Sequence, residues 1–428
     1  MFTKKVFRNL VLVMFHVVWT GLLCGSMQVP APAQKKPVAL VGGTIHPLSS
    51  PAIENGSLVF DQGKIVALGA GIGIPAGAEV VDLKGRHVYP GLIQVGSLLG
   101  LMEISWIEAT SDYEEVGEIN PNVRAETAIN PESEHIPVTR ANGIALAVVL
   151  PSGGLISGMG AAVMLDGWTW EEMTLQAPVC LVVNWPYEDT ERAVGELERA
   201  FRDARAYKTA RQAAGQSGVG FHETDIRWEA MIPVLDRKLP VWVEANTLQQ
   251  IEAAVEWADR EKIRMVLVGG ADSYLAADLL KRKEIPVIVS PVLRLPQRRD
   301  AAYDDPFTLP KRLGEAGIKF CISGGSSYMG NERNLPYHAA MAAAFGLDRE
   351  EALKAITLYA AEIVGIDDRV GSLEMGKDAT LMVTDGDPLE ITTQVERLYI
   401  QGRAVDLGNK QKALYAKYSE KYRRMGEK

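Results

Sequence analysis

Hydrophobic positions fall into two textures along this chain. From residue 37 to 89 the apolar runs are short and broken by tight turns. Residues 38–41 are apolar; 57–60 lead into Asp61-Gln62-Gly63, and 64–68 return, which predicts a β-hairpin with glycine at a turn position. Residues 78–83 and 87–89 predict two more strands. The same style resumes near the other end, over 379–384, 395–401 and, past Gly402, 403–405.

Between these flanks the period changes. Apolar runs at 91–95, 144–150, 179–183, 241–243, 265–268, 287–289 and 320–322 alternate with helical stretches at 193–214, 247–260, 274–283, 309–316, 337–345 and 349–357. In the first helix Val194, Leu197, Phe201 and Ala204 form one stripe, with charges over much of the remainder. Such alternation predicts a parallel sheet, closed as a (β/α)8 TIM-like barrel, with an eighth strand expected within 158–165. The expected class is α/β: residues 34–90 and 371–428 pair as a small composite β-sandwich, and the barrel, 91–370, is inserted between them.

Composition narrows the function. Hydrophobic residues make up 47%, enough for a full-sized core, and the formal net charge of −9 argues against nucleic acid as a partner. Residues 1–33 read as an export signal. Lys4, Lys5 and Arg8 precede a short apolar run, and Ala31-Pro32-Ala33 offers a cleavage site before Gln34. The run is short of the roughly 20 residues a membrane span needs. The expectation is therefore an exported protein, periplasmic or extracellular, with no membrane contact after cleavage. Cys180 and Cys321 each sit in an apolar run; two buried free thiols are expected, although export would permit a disulfide.

Specific words then appear in order. They are Gly42-Gly43-Thr44-Ile45, the run Gly-Lys-Ile-Val-Ala-Leu-Gly at 63–69, and His87-Val88-Tyr89-Pro90-Gly91-Leu92-Ile93. Far downstream come Gly371-Ser372-Leu373-Glu374-Met375-Gly376-Lys377-Asp378-Ala379, Asp385-Gly386-Asp387-Pro388-Leu389 and Tyr399-Ile400-Gln401-Gly402-Arg403. In these the chain resembles the amidohydrolase superfamily, most closely its imidazolonepropionase-like branch. The resemblance implies one or two divalent metals such as zinc, held by imidazoles and carboxylates at strand ends, polarising a carbonyl and activating water. Here the implied ligand positions are changed. Gly96 and Leu98 stand where the resemblance implies a His-x-His pair, Glu244 and Gly269 where it implies further histidines, and Gly325 where it implies the last aspartate. No cofactor is therefore expected.

The remaining histidines, His46, His87, His135, His222 and His338, show no i+2 or i+4 pairing; His46 and His87 lie on the β-domain side, and His135, His222 and His338 are expected to be ordinary surface or core residues. Two features could carry replacement chemistry. Glu244, with Asn246 beside it, could be a desolvated general base at the barrel mouth, or could be neutralised by an arginine such as Arg124 or Arg294. Glu103, Glu108, Asp112, Glu114, Glu115 and Glu118 crowd the segment after the first barrel strand. They could hold Ca²⁺ or Mg²⁺, bind a cationic ligand, or form a solvated loop or subunit interface. Ser326, Ser327 and Tyr328 lack a histidine–acid pair, which disfavours a serine nucleophile. The expected function is an exported amidohydrolase-like protein with a degenerate metal site, non-catalytic or serving as a binding or partner subunit, forming homo- or hetero-oligomers. Its partner would be a small molecule or a related amidohydrolase subunit. The alternative is an active hydrolase of C–N bonds, on a cyclic amide or peptide-like substrate, with a rebuilt site.

Overall fold

The computed structural model describes residues 29–188, 190–214, 223–325 and 329–427. Two eight-stranded sheets organise it. The flanking sheet takes β1 (Val38–Ile45), β2 (Ile53–Asp61), β3 (Lys64–Gly69), β4 (Glu79–Asp82) and β5 (His87–Pro90) from the N-terminal side. From the other end it takes β14 (Leu381–Thr384), β15 (Val395–Ile400) and β16 (Arg403–Ala404). Its order is β16-β15-β14-β5-β1-β2-β3, with β4 beside the first half of β1. The antiparallel register Leu381↔Pro90 to Thr384↔His87 stitches the two chain ends together. The anticipated sandwich is thus one sheet, bent over a core of its own that includes Leu40, Leu58, Phe60, Leu381 and Tyr399.

The second sheet is the barrel wall. It comprises β6 (Leu92–Ser97), β7 (Ile144–Val149), β8 (Ile156–Met164), β9 (Thr174–Asn184), β10 (Val241–Ala245), β11 (Met265–Gly269), β12 (Val287–Val289) and β13 (Phe320–Ile322), neighbours in chain order. Strands β7 and β8 are buried along their whole length, as expected for a wall covered on both faces. Between β13 and β6 no ladder forms, and side chains close the seam. Ser323 Oγ donates to the Val95 carbonyl at 2.5 Å, and the Gly324 amide donates to Gln94 Oε1 at 3.0 Å.

One expectation is corrected in detail. The eighth strand lies where the sequence placed it, but β8 runs antiparallel to both β7 and β9. A parallel step would need a crossover of a dozen or more residues, whereas about six link β7 to β8. No helix can cover this arc from that connection. The acidic segment covers it instead: Glu118 O accepts from Leu155 and Ile156, and Val123 O accepts from Met159.

A buried ion cluster ties the two sheets. Asp166 accepts from Arg140 at 3.1 Å and pairs with Arg403 of β16 at 3.2 Å. It also accepts the Ala31 amide, so residues 30 and 31 lie against the barrel. The proposed leader otherwise falls mostly outside the described residues. Among the described residues no helix is long and apolar enough to cross a membrane. Cys180 and Cys321 are buried free thiols whose pKa values burial pushes up.

Candidate functional site

Strand alternation decides what faces the barrel mouth. Trp242 and Glu244 are two apart on β10, and the register sets them beside Val182 and Asn184 of β9. On the other side Glu244 meets Val268, which in turn meets Ile288 of β12. These side chains stack in two layers, Trp242 with Val182 below and Glu244 with Asn184, Val268 and Ile288 above. A cavity of about 250 Å³ opens over them, at the C-terminal ends of the parallel strands. The antiparallel β8 contributes no lining residue.

Gly96, Leu98, Glu244, Gly269 and Gly325, singled out one by one along the sequence, all line this one cavity. Asn246 does not. It is buried behind Gly269, with Nδ2 3.4 Å from the Tyr187 hydroxyl and, among the described residues, Oδ1 without a partner. Asn184, Ser152, Ser290 and Ser323 are polar lining residues that the sequence reading missed. Their one signal is position, since each lies at or just beyond the end of a hydrophobic run.

Glu244 is the cavity's carboxylate. Water reaches it, yet enough protein surrounds it that desolvation raises its pKa above the usual carboxylate range. Among the described residues no cation pairs with it. Arg124 is engaged with Glu126 at 2.6 Å, and Arg294 is not in its ion-pair shell. Asn184 Nδ2 is committed to Gly154 O at 2.8 Å and Ser157 Oγ at 3.0 Å.

A second carboxyl lies below the mouth. Glu332, in the short helix Met329–Asn334, is fully buried near Gln94, Ser97 and the Leu98 amide, with no cation beside it among the described residues. Burial pushes its pKa up to about 8, so it holds a proton at neutral pH.

The residues present do not fit the metal that the family resemblance implies. Glycine and leucine at 96, 98, 269 and 325 offer no side-chain donor, and among the described residues no three His, Cys, Asp or Glu cluster to hold an ion. The space beside two of these glycines is also filled. A Cβ at Gly325 would lie 2.0 Å from the Gly96 carbonyl oxygen. One at Gly269, where φ is +91°, would lie 2.5 Å from Asn246 Oδ1. Histidine or aspartate requires the Gly96 backbone to move at position 325 and the Asn246 side chain to move at position 269.

The other histidines are accounted for locally. His135 Nε2 bonds the Glu103 carbonyl at 2.9 Å, and His338 Nδ1 accepts the Leu293 amide at 3.1 Å. His338 is buried, and desolvation lowers its pKa to about 4. His46 and His87 pair across β1 and β5, Nε2 to Nδ1 at 3.0 Å, which sequence spacing could not reveal. His222 and residues 326–328 lie outside the described residues.

The Amidohydrolase family model matches residues 245–405. A crystal structure of an amidohydrolase from Thermotoga maritima MSB8 superposes with a TM-score of 0.78 at 27% identity, covering 86% of this chain and 99% of that one. Residues 245–405 form an amidohydrolase-family domain. The chain is also 23% identical to amidohydrolase tasK of Hapsidospora irregularis, over 91% of its own length. It spans 42% of the length of that relative. A prolidase solved with N-methylphosphonate-L-proline shares the fold, with a TM-score of 0.53 at 17% identity, covering 87% of this chain and 100% of that one.

Proposed function

We propose that this chain is an exported amidohydrolase-fold binding or partner subunit, one that recognises a small amine-bearing molecule without the family's metal chemistry. The supporting observation is the convergence of all five altered positions on one cavity, where Glu244 alone among the described residues offers a carboxylate. A carboxylate without a cation in a partly desolvated cavity gains a partner when an amine enters. The serines and Asn184 add orientation, and Trp242, Leu98 and Ile288 supply apolar walls.

Elemental analysis of the purified protein, with thermal-shift titration of small primary amines and their N-acetyl forms, tests this reading. The expectation is no stoichiometric zinc, manganese or iron, with stabilisation by the amines alone and its loss in Glu244→Gln. Stoichiometric metal, or equal stabilisation by acetylated compounds, overturns it.

The raised pKa of Glu244 favours a second reading, in which it acts as general base in hydrolysis of a C–N bond. The solved prolidase makes proline-containing dipeptides the first substrates to screen. Turnover that Glu244→Gln reduces at least about a hundredfold would establish that reading.

A further inference from the structure

The last helix of the described residues sends none of its side chains into the core. Lys410–Gly426 is capped by Asn409, whose side chain accepts the Lys412 amide at 2.9 Å, and none of its residues is buried. Tyr415, Tyr418, Tyr422 and Met425 follow one another at spacings of three, four and three, which puts them on one stripe, with Leu414 alongside. All five are exposed, Tyr415 at 77% and Tyr422 at 64%. Six bases flank this stripe against one acid, Glu420, in a chain whose net charge is −9. An exposed aromatic stripe of this kind marks an interaction face.

The complementary surface lies on the same chain. Residues 103–118 carry six acids and no base. Within them a groove of about 640 Å³ is lined by Trp106, Ile107, Tyr113, Val116 and the carboxylates of Glu114 and Glu115. Trp106 is 96% exposed and Val116 91% exposed. Among the described residues none of the six acids has an ion-pair partner. The groove therefore pairs exposed apolar side chains with unneutralised negative charge, and the helix pairs exposed aromatic side chains with excess positive charge.

We propose that the C-terminal helix of one copy docks in the acidic groove of a second copy. Helix-to-helix pairing would set like charges against each other, whereas helix-to-groove pairing brings opposite charges together. If each copy lends its helix to the other, the two contacts are related by a twofold axis and the assembly closes as a dimer. Burial of the Tyr415, Tyr418 and Tyr422 rings against Trp106 supplies the apolar centre; Lys417 and Lys421 against Glu114 and Glu115 supply the rim. This goes beyond the reading of the cavity and does not depend on it, because its readout is mass rather than ligand or turnover.

Light scattering coupled to gel filtration, on the full processed chain, tests it. The expected result is a dimer at low salt whose dissociation constant rises at least about tenfold at high salt. Tyr418→Asp with Tyr422→Asp, at exposed positions whose recorded ring contacts are with Lys417 and Lys421 of the same helix, yields a monomer with an unchanged circular dichroism spectrum. Lys417→Glu with Lys421→Glu also yields a monomer, and adding Glu114→Lys with Glu115→Lys in the same chain restores the dimer. A wild-type monomer at low salt overturns the proposal, as does a dimer that survives the tyrosine substitutions. A monomer that sediments with phosphatidylglycerol vesicles overturns it too, and assigns the helix to a lipid surface instead.

Discussion

Glu332→Gln should make this protein more stable, by an amount that pH controls. The wild-type carboxyl is fully buried without a cation, and its pKa rises from 4.5 to about 8 on folding. Below pH 4.5 both folded and unfolded chains hold the proton, and the site contributes nothing to the pH dependence. As pH rises past 4.5 the unfolded chain releases its proton while the folded chain must keep one, so wild-type stability falls. At about 1.36 kcal/mol for each unit, the loss reaches about 3 kcal/mol at pH 7 and about 5 kcal/mol above pH 8, where it levels off. Glutamine keeps the shape and a donor and acceptor like those of the protonated acid, without the titration. Urea unfolding of both proteins at pH 5, 6, 7 and 8 measures the difference, and titrations common to the two cancel. The gap should widen steadily from pH 5 to 8. Infrared spectra at pH 7 should show a protonated carboxyl band in the wild type that the variant lacks. A gap that stays constant with pH, or an absent carboxyl band, would refute the assignment of a neutral buried acid.

Three further outcomes follow from the same geometry. Gly325→Ala places a Cβ 2.0 Å from the Gly96 carbonyl oxygen and should cost about 2–3 kcal/mol in chemical unfolding, whereas Gly195→Ala, with open space around it, should be neutral or stabilising. Asp166→Asn leaves the Arg140 and Arg403 guanidiniums without their shared carboxylate and should lower stability by about 3–5 kcal/mol; no change in the unfolding midpoint would contradict the cluster's role. His338, held at about 4, stays neutral while the unfolded chain's histidine takes a proton below about pH 6.5. Its share of stability should therefore drain away between pH 6.5 and 4, and His338→Gln should flatten that part of the profile.

The hydrophobic runs located all eight barrel strands, because a wall buried on both faces leaves uninterrupted apolar segments. Direction was not legible in the same way. The nine residues of β8 are buried throughout, and a strand without alternation reads identically from either end. Gly96, Leu98, Glu244, Gly269 and Gly325 were legible as cavity positions because the surrounding words kept their register. Glu332 was not, since Gly330-Asn331-Glu332-Arg333-Asn334 reads as polar surface and only tertiary packing puts the carboxyl under the barrel mouth. The His46–His87 bond escaped for a related reason. It depends on the parallel pairing Thr44↔His87, which no local pattern announces.

The acidic segment that covers β8 also touches the cavity wall. The Ser152 amide donates to the Tyr113 carbonyl at 2.7 Å; Ser152 faces the cavity and Tyr113 faces the groove. One strip of backbone thus has a molecule-sized hollow on one side and a docking trough on the other. Thermodynamic linkage makes any influence across that strip mutual: whatever factor an occupant of the trough applies to affinity in the hollow, the hollow's occupant applies in return. A subunit built this way would report the presence of a small molecule as a change in how tightly it holds its neighbour.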